Sequence, residues 1–267
     1  MIRFVTALGG ALLLSGCSGV VSSAAPTVNA DPSNMSGSIT IAAAASLTDV
    51  LPVLITDFQA RHPGAVIATS FAGSSTLVEQ VLAGASVDVL ATASVATMNN
   101  AVEAGVIESP QIFASNSMAV VVPAGNPGEV RTLQDLQRAD LLVGLCEVTV
   151  PCGAAAQQVL DKATLRLTPV TQELDVRALL GKVIAGELDA GVVYATDALS
   201  AVPQVEIIAI PEEFNAATQY PAAVVRESPN QVLAAAFVDY LARDSAAQTI
   251  LRDFGFGVPS DNGKGAP

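Results

Sequence analysis

Between residues 38 and 258 the chain alternates short β-branched runs with Ala- and Leu-rich stretches of helical period, which limits the fold more than any other feature. Residues 38–46 read as a strand and 47–62 as a helix, stopped where Pro63 and Gly64 cannot continue it. Strands over 65–71 and 87–93 follow, with helices over 75–83 and 95–105, an order that predicts parallel βαβ units. A second series has strands at 118–123, 141–145, 165–169, 190–194 and 205–210, separated by helical patterns at 133–138, 153–163, 176–185 and 195–200. The chain returns through 219–225 and closes with helices over 228–243 and 245–254. This predicts an α/β fold of two lobes, each a mainly parallel sheet flanked by helices. Residues 38–117 and 220–259 form one lobe and 118–219 the other. Two chain crossings then make a hinge, with a ligand cleft at the carboxyl ends of the strands.

The ends of the chain carry a different signal. Arg3 precedes an apolar run over residues 4–14 that is too short to span a bilayer and reads as a secretory signal. It ends in Leu14-Ser15-Gly16-Cys17, which resembles the bacterial lipobox. Residues 1–16 are therefore expected to be removed and Cys17 to carry lipid, anchoring an extracytoplasmic protein to the cell membrane. Residues 17–37, rich in Ser, Ala, Asn and Pro, form a tether, and 260–267 a flexible tail. With Cys17 set aside, Cys146 and Cys152 are an even pair in an oxidising compartment, and a disulfide is the economical reading. A metal centre needs more ligands than their spacing offers, since the lone His62 lies far away.

Net charge excludes more than it identifies. Twelve Lys and Arg against 25 Asp and Glu give −13, which disfavours nucleic acid. The absence of Trp, with 4% aromatic residues, counts against a stacked sugar site. Hydrolase chemistry lacks its parts, because Gly73-Ser74-Ser75 is not a nucleophile elbow and His62 sits at a helix stop. The reading is of a protein that is not an enzyme and needs no cofactor.

Strand-to-helix junctions are the chemically suggestive positions. Ser46, Ser74, Cys152 and Val176 each stand where a helix begins, with box-like patterns at Ser46-Leu47-Thr48-Asp49 and from Thr76 to Glu79. Helix N-termini present unpaired N–H groups and a positive dipole end, so several converging on one point hold an anion without Lys or Arg. Taken singly, each serine reads more simply as an N-cap and Tyr194 as a packed aromatic.

Five stretches taken together resemble the molybdate-binding proteins of ABC import systems, the ModA family. They are Ala43-Ala44-Ala45-Ser46-Leu47-Thr48, Ser70-Phe71-Ala72-Gly73-Ser74-Ser75-Thr76-Leu77, Val150-Pro151-Cys152-Gly153, Asp175-Val176-Arg177, and Gly191-Val192-Val193-Tyr194 with Asp197-Ala198. Tyr220-Pro221 near the return crossing is a further echo. The resemblance implies a type II periplasmic-binding-protein fold. It also implies an oxyanion held by the hydroxyls and amides of Ser46 and Ser74, the amides of Cys152 and Val176, and the hydroxyl of Tyr194. Molybdate is the implied cargo, with tungstate expected to bind as well, a membrane ABC permease as partner, and a monomer as the working state. Cys152 departs from the pattern, where a small residue such as alanine is expected. A backbone donor tolerates that change. Sulfate or another small anion is the alternative cargo.

Overall fold

The computed structural model describes residues 35–107 and 109–259. The signal segment, Cys17, most of the tether and the 260–267 tail lie outside the described residues. Two five-stranded sheets organise the rest. The first contains β1 (Ser36–Ala44), β2 (Gly64–Ala72), β3 (Val89–Ala91), β4 (Gln111–Asn116) and β10 (Thr218–Val224), in the order β2-β1-β3-β10-β4. The second contains β5 (Met118–Pro123), β6 (Val143–Cys146), β7 (Thr171–Glu173), β8 (Ala190–Tyr194) and β9 (Val205–Ala209), in the order β7-β6-β8-β5-β9. The two orders follow one pattern. In each sheet the strand after a chain crossing, β10 or β5, runs antiparallel to both neighbours, whereas β1 and β6 each pair in parallel on both sides. The antiparallel pairs that the βαβ reading did not foresee thus come from the crossings themselves.

Helices α1 (Val50–Arg61), α2 (Ser74–Leu82), α3 (Val95–Glu103), α7 (Gln231–Arg243) and α8 (Ser245–Asp253) belong to the first lobe, and α4 (Pro151–Lys162), α5 (Val176–Ile184) and α6 (Ala195–Ser200) to the second. The buried face of α1, formed by Val50, Leu51, Leu54, Ile55 and Phe58, follows the i, i+1, i+4, i+5, i+8 pattern of an amphipathic helix. Phe58 meets Phe237 of α7 edge to face at 5.1 Å, which fastens the closing helices beneath the first sheet. The first crossing is short, Asn116-Ser117-Met118, and Asn215 on the return crossing clamps it. The Asn215 side chain accepts from the Met118 N–H and donates to the Met118 carbonyl, each at 2.9 Å.

Several sequence expectations are corrected. The strand expected at 165–169 is irregular, and pairing to β6 starts only at Thr171 opposite Gly144. Leu165 is buried, so the apolar signal there reports core packing and not a ladder. β4 gave no clear signal because its six residues include Gln, Ser and Asn. The helical pattern at 133–138 is a 3₁₀ turn, Leu133–Gln137. Neither expected capping box forms: α1 begins after Asp49 without a side-chain cap, and Thr76 lies inside α2, whose cap is Gly73. His62 caps the end of α1, with its Nδ1 3.4 Å from the Met35 amide.

Candidate functional site

Ser46, Ser74, Cys152, Val176 and Tyr194 all line one small cavity between the sheets, together with Ala44, Gly73, Ala93 and Asp175 among others. Its volume is about 20 Å³, room for one compact solute, since a single water needs roughly 10–15 Å³ on the same measure. Among the described residues, no Lys or Arg lines it. Each residue arrives by a different route. Ser46 lies in a 3₁₀ turn, Ala45–Leu47, at the end of β1, and Ser74 opens α2. Cys152 is the second residue of α4, behind Pro151, whose fixed φ suits a first helical position. Val176 opens α5, and Tyr194 ends β8.

The hydrogen bonds limit which way the protons point. Asn116 Oδ1 accepts from the Ser117 N–H at 3.0 Å, so its amide nitrogen faces the other way. That nitrogen donates to Thr196 Oγ1 at 2.8 Å and to the Tyr220 hydroxyl at 3.3 Å. Tyr220 Oη lies 2.9 Å from Ser46 Oγ. Asn116 fills one acceptor site of the Tyr220 hydroxyl, so Tyr220 can donate to Ser46 and leave the Ser46 proton for the cavity, although either hydroxyl can be the donor. Ser74 Oγ accepts from the Ala93 N–H at 3.0 Å, and its proton is left free in the same way. Both serines are buried.

The second lobe contributes donors by another means. Asp175 caps α5 and accepts from the Arg177 and Ala178 amides, so the Val176 N–H is left for the cavity. No side chain caps α4, and its first amides have no intrahelical partner. The Cys146–Cys152 disulfide ties the end of β6 to this helix start. A Cβ on Gly153 would lie 1.8 Å from the Glu147 carbonyl oxygen, so only glycine allows the loop to fold back so tightly. The Tyr194 hydroxyl is buried with no well-formed hydrogen bond, although the hydroxyls of Thr218 and Tyr220 are near. Desolvation first, and then neighbouring Tyr220 and Asp197, push its ionisation well above the usual phenol value. It therefore stays a neutral hydroxyl that can donate.

Sequence reasoning missed the groups behind this first layer. Tyr220 stands only as a motif near the hinge and Asn116 not at all, yet they form the hydrogen-bonded pair behind Ser46. Asp197 is fully buried beside Arg177, with an Nε to Oδ1 distance of 2.6 Å. Tyr220-Pro221, Arg177 and Asp197 all lay within the family-like stretches, which was the available signal for them.

Residues 39–257 match the family described as bacterial extracellular solute-binding protein. The chain belongs to this family. As a solute-binding protein it captures its ligand instead of transforming it, and it works outside the cytoplasm. Its relatives include the molybdate-binding protein ModA of Mycobacterium tuberculosis, 37% identical over 259 residues, covering 97% of this chain and 99% of that protein. Among solved structures, the periplasmic molybdate-binding protein of Azotobacter vinelandii aligns with TM-score 0.72 at 17% identity, covering 83% of this chain and 100% of that one. The sulfate-binding protein SubI of Mycobacterium tuberculosis aligns with TM-score 0.71 at 20% identity, covering 84% and 88%. Both structural likenesses show the two-lobed type II fold of solute-binding proteins.

Proposed function

We propose that this solute-binding protein captures molybdate, and tungstate with it, and delivers it to an ABC permease. The observation that carries the reading is a cavity on which five groups able to donate converge. The Ser74 hydroxyl accepts from the Ala93 N–H behind it, the Ser46 hydroxyl pairs with Tyr220, the Cys152 and Val176 amides can only donate, and Tyr194 has a spare proton. Relatives named for molybdate binding, similar along nearly the whole chain, support the choice of anion.

A donor-only site favours an oxyanion with no proton of its own. Molybdate and tungstate are full dianions at neutral pH. Phosphate carries a proton that would be buried without an acceptor, at a cost of ~1–3 kcal/mol. Sulfate is also unprotonated and must be rejected by size, because a smaller ion cannot reach every donor at good distance. The site is divided between a lobe formed by residues 38–117 with 220–259 and one formed by 118–219, so closure completes it. In this reading the protein acts as a monomer, held to the membrane by lipid on Cys17. Thermal melts of the soluble form with four oxyanions test the cargo. Molybdate or tungstate at about 100 times its Kd should stabilise the fold by ~2.7 kcal/mol. A melt raised by sulfate or phosphate and unmoved by molybdate and tungstate overturns the assignment.

A further inference from the structure

We propose that Arg177 is the latch of the closed cleft, held in its own lobe by Asp197 and tying Asp49 of the opposite lobe when the cleft shuts. The inference rests on the reading of this cleft as a closing oxyanion site and adds the group that keeps it shut. Among the contacts that join the lobes around the cavity are three of different kinds. A Cβ on Gly73 would lie 2.4 Å from the Leu174 carbonyl oxygen, and Ser75 Oγ donates to the Thr149 carbonyl at 3.2 Å. The third is the ion pair of Arg177 Nη2 with Asp49 Oδ2, and it alone among these three joins opposite charges.

The geometry separates the two carboxylates by role. Asp197 is completely buried, and Arg177 Nε is 2.6 Å from its Oδ1, so this pair belongs to the permanent interior of the second lobe. A guanidinium is a rigid fork, and fixing one edge aims the other. The free edge reaches Asp49, whose side chain is 39% exposed and caps nothing, although it stands at the start of α1. A cavity of about 250 Å³ lined by Asp49, Arg177, Thr196 and Phe254 opens beside the pair. Solvent ions can therefore screen it. Arg177 also follows Val176 directly, so the latch is attached to the backbone that presents a donor to the solute. It forms only after the lobes meet, and so it acts on release and not on capture.

The test uses Asp49→Asn, which removes one charge and leaves the buried Arg177–Asp197 pair intact. Molybdate dissociation is followed by a tungstate chase in 0.05 and 0.5 M NaCl. In low salt the variant should release molybdate roughly threefold to fivefold faster than the parent, the span of a part-exposed ion pair near the top of its usual range. Association should be unchanged. The parent's release should quicken with salt, and the variant's should not. Equal release rates and equal salt dependence overturn the latch. If the parent takes up no molybdate, the oxyanion reading fails by itself, and small-angle scattering in low salt then decides the latch. A parent more compact than Asp49→Asn upholds it, and superimposable curves refute it.

Discussion

At the residue scale, the two serines of this site differ in what stands behind them. Ser46 shares a hydrogen bond with Tyr220, which in turn accepts from Asn116, whereas Ser74 accepts from a single backbone amide. Ser46→Ala deletes a hydrogen bond to a charged group, so molybdate affinity should fall tenfold to a hundredfold, or ~1.5–3 kcal/mol, by calorimetry. Tyr220→Phe deletes only a neutral bond behind it, and a loss of roughly twofold to tenfold is expected. An equal loss in both variants would show that Tyr220 does more than orient. Asp197 supplies a second residue-scale prediction. Burial pushes its pKa up to about 7, Arg177 opposes the shift, and the charge of Asp49 adds to it. The folded value lies above the unfolded one, near 3.9. The folded state therefore binds the extra proton, and this contribution to stability, complete below about pH 4, is lost as pH rises through 7. The carboxyl carbon of Asp197 should titrate near pH 7 in a carbon NMR experiment; a midpoint near 4 would refute this.

At the element scale, glycines mark where backbones must approach each other. Gly73 lets the start of α2 meet the Leu174 carbonyl of the other lobe, and Gly153 lets α4 start against Glu147 within one lobe. The two should fail differently. Gly73→Ala should leave the ligand-free melting temperature near that of the parent and weaken molybdate more than about tenfold, because closure is obstructed while each lobe stays sound. Gly153→Ala, with its clash against backbone inside a lobe, should lower the melting temperature itself. The capping patterns show how local signals mislead. Ser46-Leu47-Thr48-Asp49 has the spacing of a box, yet the serine hydroxyl is drawn to Tyr220, 174 residues away, instead of to its own helix.

At the scale of the whole molecule, two sheets of one topology are joined by two crossings, so a change at the short Asn116–Met118 link is felt by both lobes. The lipid anchor belongs to this scale too. If diacylated Cys17 holds the mature protein, Cys17→Ala should move it from the membrane fraction to the soluble fraction, because two acyl chains anchor stably where one is marginal. Retention of the variant in the membrane would argue for another attachment.

Periodicity and turn residues were enough to read the α/β alternation and the double crossing, because these depend on local pattern. The five candidate residues came from the resemblance of short motifs to a known family, since taken singly each serine reads as an N-cap and Tyr194 as a packed aromatic. Only the tertiary structure decided the rest. The place of β7, the antiparallel β5 and β10, the hydrogen bonds linking Asn116, Tyr220 and Ser46, and the bridge from Asp197 through Arg177 to Asp49 all depend on groups between about 20 and 174 residues apart. Spacing along the chain carries no information about such pairs, because it is the burial of both sheets that brings them within hydrogen-bonding distance.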